Sequence, residues 1–137
     1  MGHTSYEVTQ DAVSENVAEA RRFARSVMAL WGLSGDAPTA ALLISELVTN
    51  AIRHTPSSEV LVVASQLSAE RVRLAVFDTA SDRLPQQRPE EDDAESGRGL
   101  QLVDAFADRW GYDLLSFHPT RGSWGKTCWA ELVVGEP

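Results

Sequence analysis

Glu46, Asn50 and His54 stand four residues apart in the stretch AALLISELVTNAIRHT, which runs from Ala40 to Thr55. On a helix that spacing puts a carboxylate, an amide and an imidazole on one row. A carboxylate can orient or accept a proton. An amide oxygen one turn away is a hard ligand of the kind magnesium takes. The same row also reads as a solvated face whose terminal histidine complements the helix dipole. Spacing alone leaves both readings open.

The elements that must position this row are legible around it. Leu43, Ile44, Leu47, Val48, Ala51 and Ile52 recur with a helical period, so a central helix is expected from Asp36, as its cap, to Thr55, with Pro38 in its first turn and Pro56 closing it. Before it, Ser5 to Asp11 reads as a short edge strand. Ser14 is a candidate cap for a first helix, in which Val17, Ala20, Phe23, Ala24, Val27 and Leu30 are apolar and after which Gly32 is the stop. Arg21, Arg22 and Arg25 lie off that apolar face and read as solvated. After the central helix, Val60, Val62 and Ala64 alternate against Leu61 and Val63. A turn at Ser68–Arg71 then leads to Val72, Leu74 and Val76, which end at Asp78, the pattern of a hairpin. From Thr79 to Gly97 the pattern lapses into prolines, glutamines and the acids Glu90, Glu91, Asp92, Asp93 and Glu95, a composition with no core of its own. Gly97-Arg98-Gly99-Leu100 opens a third helix with Leu102, Val103, Phe106 and Ala107 apolar, expected to end near Arg109. Two closing strands follow, one with Tyr112, Leu114 and Ser116, the other with Trp124, Thr127, Trp129, Glu131 and Val133, turning through Pro119–Gly122. The expected fold is α+β, a two-layer sandwich of mixed, mostly antiparallel sheet with three main helices on one face.

Composition bounds the function. At 137 residues the chain is expected to be one domain, 1–137, large enough for a core without staples. A net charge of −8, with a single lysine, Lys126, and scattered arginines, argues against a nucleic-acid surface. Cys128 is the one cysteine and sits in an apolar run, so it reads as a buried thiol in a reducing compartment. No apolar run is long enough to span a bilayer and the N-terminus lacks the pattern of a signal peptide, so a cytoplasmic protein with no membrane partner is expected.

Four segments, in order, carry a resemblance. Glu46-Leu-Val-Thr-Asn50-Ala51 with His54 resembles the N box of the ATPase superfamily that includes gyrase, sensor histidine kinases and chaperones. Val76-Phe-Asp78 resembles its first glycine box, Glu95-Ser-Gly97-Arg98-Gly99-Leu100 its second, and Gly125-Lys126-Thr127 its closing strand. The SELVTNAIRH string and the early helix with Ala20-Arg21-Arg22 look like the actinobacterial regulatory branch, the small anti-sigma factors with serine protein kinase activity. The resemblance implies ATP and magnesium as cofactors, with residues 79–96 as a flexible ATP lid. It implies Asn50 as the magnesium ligand and Glu46 as the catalytic residue that orients or deprotonates the attacking hydroxyl. It implies Asp78 as the acceptor of the adenine amino group, Gly97, Arg98, Gly99 and Leu100 at the phosphates, and Thr127 near the base. A strand-end cap for Asp78, a hinge for the glycines and a cross-sheet threonine pair for Thr127 are the plain structural alternatives. The chain departs from the superfamily after Asp78, where Thr79-Ala80-Ser81-Asp82 replaces the usual D-x-G-x-G.

Two principal functions follow from the resemblance. The first is an ATP-binding anti-sigma factor that phosphorylates an antagonist protein on serine or threonine, with a sigma factor and that antagonist as partners and a homodimer as a further possibility. The alternative is a regulatory protein-binding module of the same fold with weak or lost kinase activity, favoured by the missing glycines and the acidic stretch. A hydrolase or a detached histidine-kinase catalytic domain is a third, disfavoured because no phosphoacceptor helix pair is legible. Gly125-Lys126-Thr127 lacks the upstream glycine loop of a Walker A motif.

Overall fold

The computed structural model describes residues 4–54, 59–78, 102–118 and 122–135. Strand β1 (Thr4–Asp11) leads through a 3-10 turn (Ser14–Asn16) to helix α1 (Val17–Leu30). A second 3-10 turn (Ser34–Asp36) leads to helix α2 (Ala37–His54). The hairpin β2 (Glu59–Ser68) and β3 (Arg71–Asp78) follows. A helical turn at 102–106 then precedes β4 (Arg109–His118) and β5 (Ser123–Val133). The sheet runs β1-β2-β3-β5-β4 with each described pair antiparallel. The expected α+β sandwich is the observed one, with β1 at an edge. The lid expected at 79–96 and the segment Gly97–Leu100 lie outside the described residues.

Helix α2 is buried along a wide stripe: Ala37, Ala40, Ala41, Leu43, Ile44, Leu47, Val48 and Ala51. These positions follow the i, i+3, i+4, i+7 rule, so the helix sits between α1 and the sheet. Ser45 is buried among them, and its hydroxyl donates to the Leu42 carbonyl at 2.8 Å, which satisfies it locally. Ala20 and Ala24 of α1 are fully buried, so small side chains set the contact between the two helices. Below them lie Val60, Val62 and Ala64 of β2, Val72, Leu74 and Val76 of β3, and Cys128, Ala130 and Leu132 of β5. Val103, from the turn at 102–106, joins the same core.

Element ends differ from the sequence reading in three places. Ser14 makes no cap; the chain enters α1 through a 3-10 turn, and Asn16 Nδ2 donates to the Asp11 carbonyl instead. Asp36 lies in the 3-10 turn before α2 and accepts a hydrogen bond from the Gly135 N–H at 3.1 Å, tying the chain's far end to the helix entry. The third helical segment stops at residue 106, because Asp108 N–H already donates to the Glu131 carbonyl and Arg109 is the first residue of β4. Gly32 ends α1 as expected. It takes φ +74, and Leu33 N–H returns to the Met28 carbonyl while Gly32 N–H returns to Ala29, the paired bonds of a Schellman end.

The face of the sheet turned away from the helices is covered by two devices. A bulge between Asp113 and Ser116 puts an extra residue into β4. Bulges bend a strand, and here the β4–β5 hairpin folds back over the sheet. The His118 ring lies 5.2 Å from the Phe77 ring, and its Nε2 comes to 3.7 Å from Glu7 on the opposite edge strand. Leu61 and Phe77 are thereby buried with no helix on their side. Farther along, Arg73 stacks 4.4 Å over the Trp129 ring and pairs with the buried Glu131 at 2.8 Å, with Arg71 and Arg109 at 3.6 and 3.8 Å from its second oxygen. The bulge also breaks the period-two reading of β4: Tyr112 pairs with Cys128 on the helix side, whereas the Ser116 hydroxyl meets Thr127 on the other. Among the described residues, no helix is long and apolar enough to cross a membrane.

Candidate functional site

Where α2 crosses the sheet, a small recess, partly open to solvent, is lined by Leu47, Asn50 and Ala51 of α2, Val76 and Asp78 of β3, and Lys126 and Cys128 of β5. Three elements meet there for simple reasons. Leu47, Asn50 and Ala51 are i, i+3 and i+4 on α2, one patch of its surface. Val76 and Asp78 alternate on β3, as do Lys126 and Cys128 on β5, and the ladder pairs Val76 with Cys128 and Asp78 with Lys126.

Asp78 is 5% exposed, the last residue of its strand, and its carboxylate is an acceptor set into an apolar floor. Asn50 is half-buried on the facing helix and lines the recess beside Cys128. Its side-chain amide carries one hard oxygen acceptor. Burial is the larger influence on the sulfur and pushes the thiol up to about 11, against the milder pull of Lys126, Asn50 and the Trp129 backbone. Gly125 marks how closely β5 passes β3. A Cβ there would overlap the Asp78 carbonyl oxygen and stand 2.9 Å from Phe77 Cζ. That is a position where only glycine fits without moving backbone.

Of the residues singled out in the sequence, Asn50 and Asp78 are brought together in the recess. Glu46 is half-buried one turn earlier on α2 and is not part of the lining. Thr127 falls on the other face of β5, where its hydroxyl shares a 2.8 Å hydrogen bond with Ser116, so the plain cross-sheet pair is what the structure shows. Gly97, Arg98, Gly99 and Leu100 lie outside the described residues. Lys126 and Cys128 are the residues that sequence reasoning did not place in the site. The strand period puts Lys126 and Cys128 on one face and Thr127 on the other, but only the register with β3 decides which of those faces meets α2.

Among the described residues, no group of three His, Cys, Asp or Glu side chains could hold a metal ion unaided. Magnesium asks less of a protein, taking one or two side-chain oxygens with phosphates and waters completing its octahedron. The Asn50 side-chain oxygen, which borders the recess, fits that donor set.

A family model for the histidine kinase-like ATPase domain matches residues 11–120. The matched span carries α1, α2, β2, β3 and β4 and stops before the β5 residues of the recess. No curated protein matches the chain.

Proposed function

The chain belongs to the histidine kinase-like ATPase domain family, and on that premise we propose that it is a nucleotide-responsive regulatory domain that binds ATP with magnesium and uses that state to control a protein partner. The observation that carries this reading is the convergence of Asp78 and Asn50 on one recess between sheet and helix. The Asp78 carboxylate accepts the amino hydrogen of the base. The Asn50 oxygen would hold the magnesium, which would neutralise phosphate charge. The partners by resemblance are a sigma factor and its antagonist in the cytoplasm, with no direct role for nucleic acid. The branch resemblance in SELVTNAIRH and the early helix supports that assignment.

Titration calorimetry with ATP tests the site. Affinity should depend on magnesium, and Asn50→Ala should lose most of that dependence while Asp78→Asn weakens the preference for adenine, because an amide presents a donor where an acceptor is required. Equal affinity for wild type and both variants would remove the assignment.

A serine/threonine kinase activity is the stronger form of the same reading, and the position of Glu46 favours it. One helical turn, about 5 Å, separates it from Asn50, and it stands beside the recess rather than in its lining. In transfer, the partner's hydroxyl oxygen bonds to the γ-phosphorus, the bond to the ADP oxygen breaks, and the hydroxyl proton passes to the Glu46 carboxylate. Glu46→Gln should then slow transfer by roughly 10²–10⁴ while leaving ATP affinity intact. Transfer at the wild-type rate would leave the domain a binding module.

A further inference from the structure

Lys126 is the only lysine in a chain with eleven arginines, and it lines the recess directly across the β3–β5 ladder from Asp78. Directly paired residues on one face of a sheet hold their Cβ atoms about 5 Å apart, so an ammonium and a carboxylate share the same wall. We propose that Lys126 is a specificity-determining residue of the nucleotide pocket, donating a hydrogen bond to the ring nitrogen that flanks the exocyclic amino group of adenine while Asp78 accepts from that amino group. This rests on the reading of the recess as a nucleotide site.

The chemistry of the two partners matches. Adenine presents its amino donor beside an acceptor nitrogen on either side, N1 on one edge and N7 on the other. A carboxylate alone recognises the donor and is indifferent to the acceptor. A donor set beside the carboxylate completes the pair. Lysine suits this position better than arginine would. A guanidinium would clamp Asp78 through two parallel bonds, whereas an ammonium on a flexible stem makes a point contact and can turn to the base. The charge of Lys126 is felt inside the recess, since it pulls on the Cys128 thiol one ladder step deeper. Thr127, the neighbour that the sequence suggests for this task, is committed to Ser116 on the opposite face.

The test compares ATP with 1-deaza-ATP and 7-deaza-ATP, in each of which one ring nitrogen is replaced by C–H, by calorimetry with magnesium. Hydrogen bonds to charged groups are worth roughly a tenfold to hundredfold factor in affinity. Wild type should bind one of the two deaza analogues at least tenfold more weakly than ATP. Lys126→Met should lose a similar factor on ATP and bind that analogue and ATP alike. Lys126→Gln, which keeps an N–H donor at the same ladder position, should recover part of the preference. A wild type that treats ATP and both analogues alike overturns the proposal without recourse to any variant. So does a Met variant that keeps the preference, or one that loses ATP and the analogue by equal factors with the preference intact, as a phosphate contact would give. A wild type that binds ATP but shows no role for Lys126 leaves the nucleotide site standing. One that binds none of the three nucleotides overturns both readings.

Discussion

The stability of this domain should fall between pH 9 and pH 11, because Cys128 gives up its proton there in the unfolded chain but holds it in the folded one. The thiol is 8% exposed, and burial pushes it from 9.0 to about 11. A raised folded pKa contributes stability that is complete below the unfolded value and is lost as pH rises through the folded one. Each unit of difference is worth about 1.4 kcal/mol. The loss is therefore ~1.4 kcal/mol by pH 10, where the unfolded thiol is mostly ionised and the folded one is not, and it approaches ~2.7 kcal/mol above the folded pKa. The assay is urea unfolding of wild type and Cys128→Ala across this range, followed by far-ultraviolet circular dichroism. The comparison with Cys128→Ala isolates what the thiol contributes. Cys128→Ala should cost about 1 kcal/mol at neutral pH through the lost sulfur contacts. That deficit should shrink and then reverse as the pH rises. Two profiles that stay parallel from neutral pH to pH 10.5 would show that the sulfur is not buried against Asn50 and the α2 floor.

Gly125→Ala should cost about 1–3 kcal/mol and weaken nucleotide binding, because the new Cβ must push the Asp78 carbonyl and the Phe77 ring away; Gly35→Ala, with open space around it, is the control expected to be neutral in the same urea titration. Arg73→Ala should cost about 2 kcal/mol, short of the 3–5 kcal/mol of a fully orphaned buried charge because Arg71 and Arg109 still face Glu131. Arg22→Ala, which breaks the exposed pair with Glu19, should change stability by less than about 0.5 kcal/mol; equal effects of the two arginines would refute the role given to burial.

Local pattern was enough for much of this molecule. The apolar stripe of α2, the alternation of β2 and β3 and the positive-φ stop at Gly32 depend on near neighbours in the chain, and the sequence states them directly. The row of Glu46 and Asn50 on α2 and the position of Asp78 at the end of β3 were likewise legible, because helix spacing and a strand end are local features. What tertiary structure alone decided is which side of β5 meets the site. One extra residue in β4 reverses the faces of that strand, and the partner of Ser116 is set by the bulge rather than by the sequence near it. For the same reason Leu61 and Phe77 are buried on a face with no helix, under a hairpin whose β4 strand carries the bulge between Asp113 and Ser116, with His118 against Phe77. Periodicity reports that a side chain is apolar and which neighbours share its face. It carries no information on which face a distant strand presents, and the register of β5 against β3 is what put Lys126 and Cys128, rather than Thr127, opposite Asn50 and Asp78.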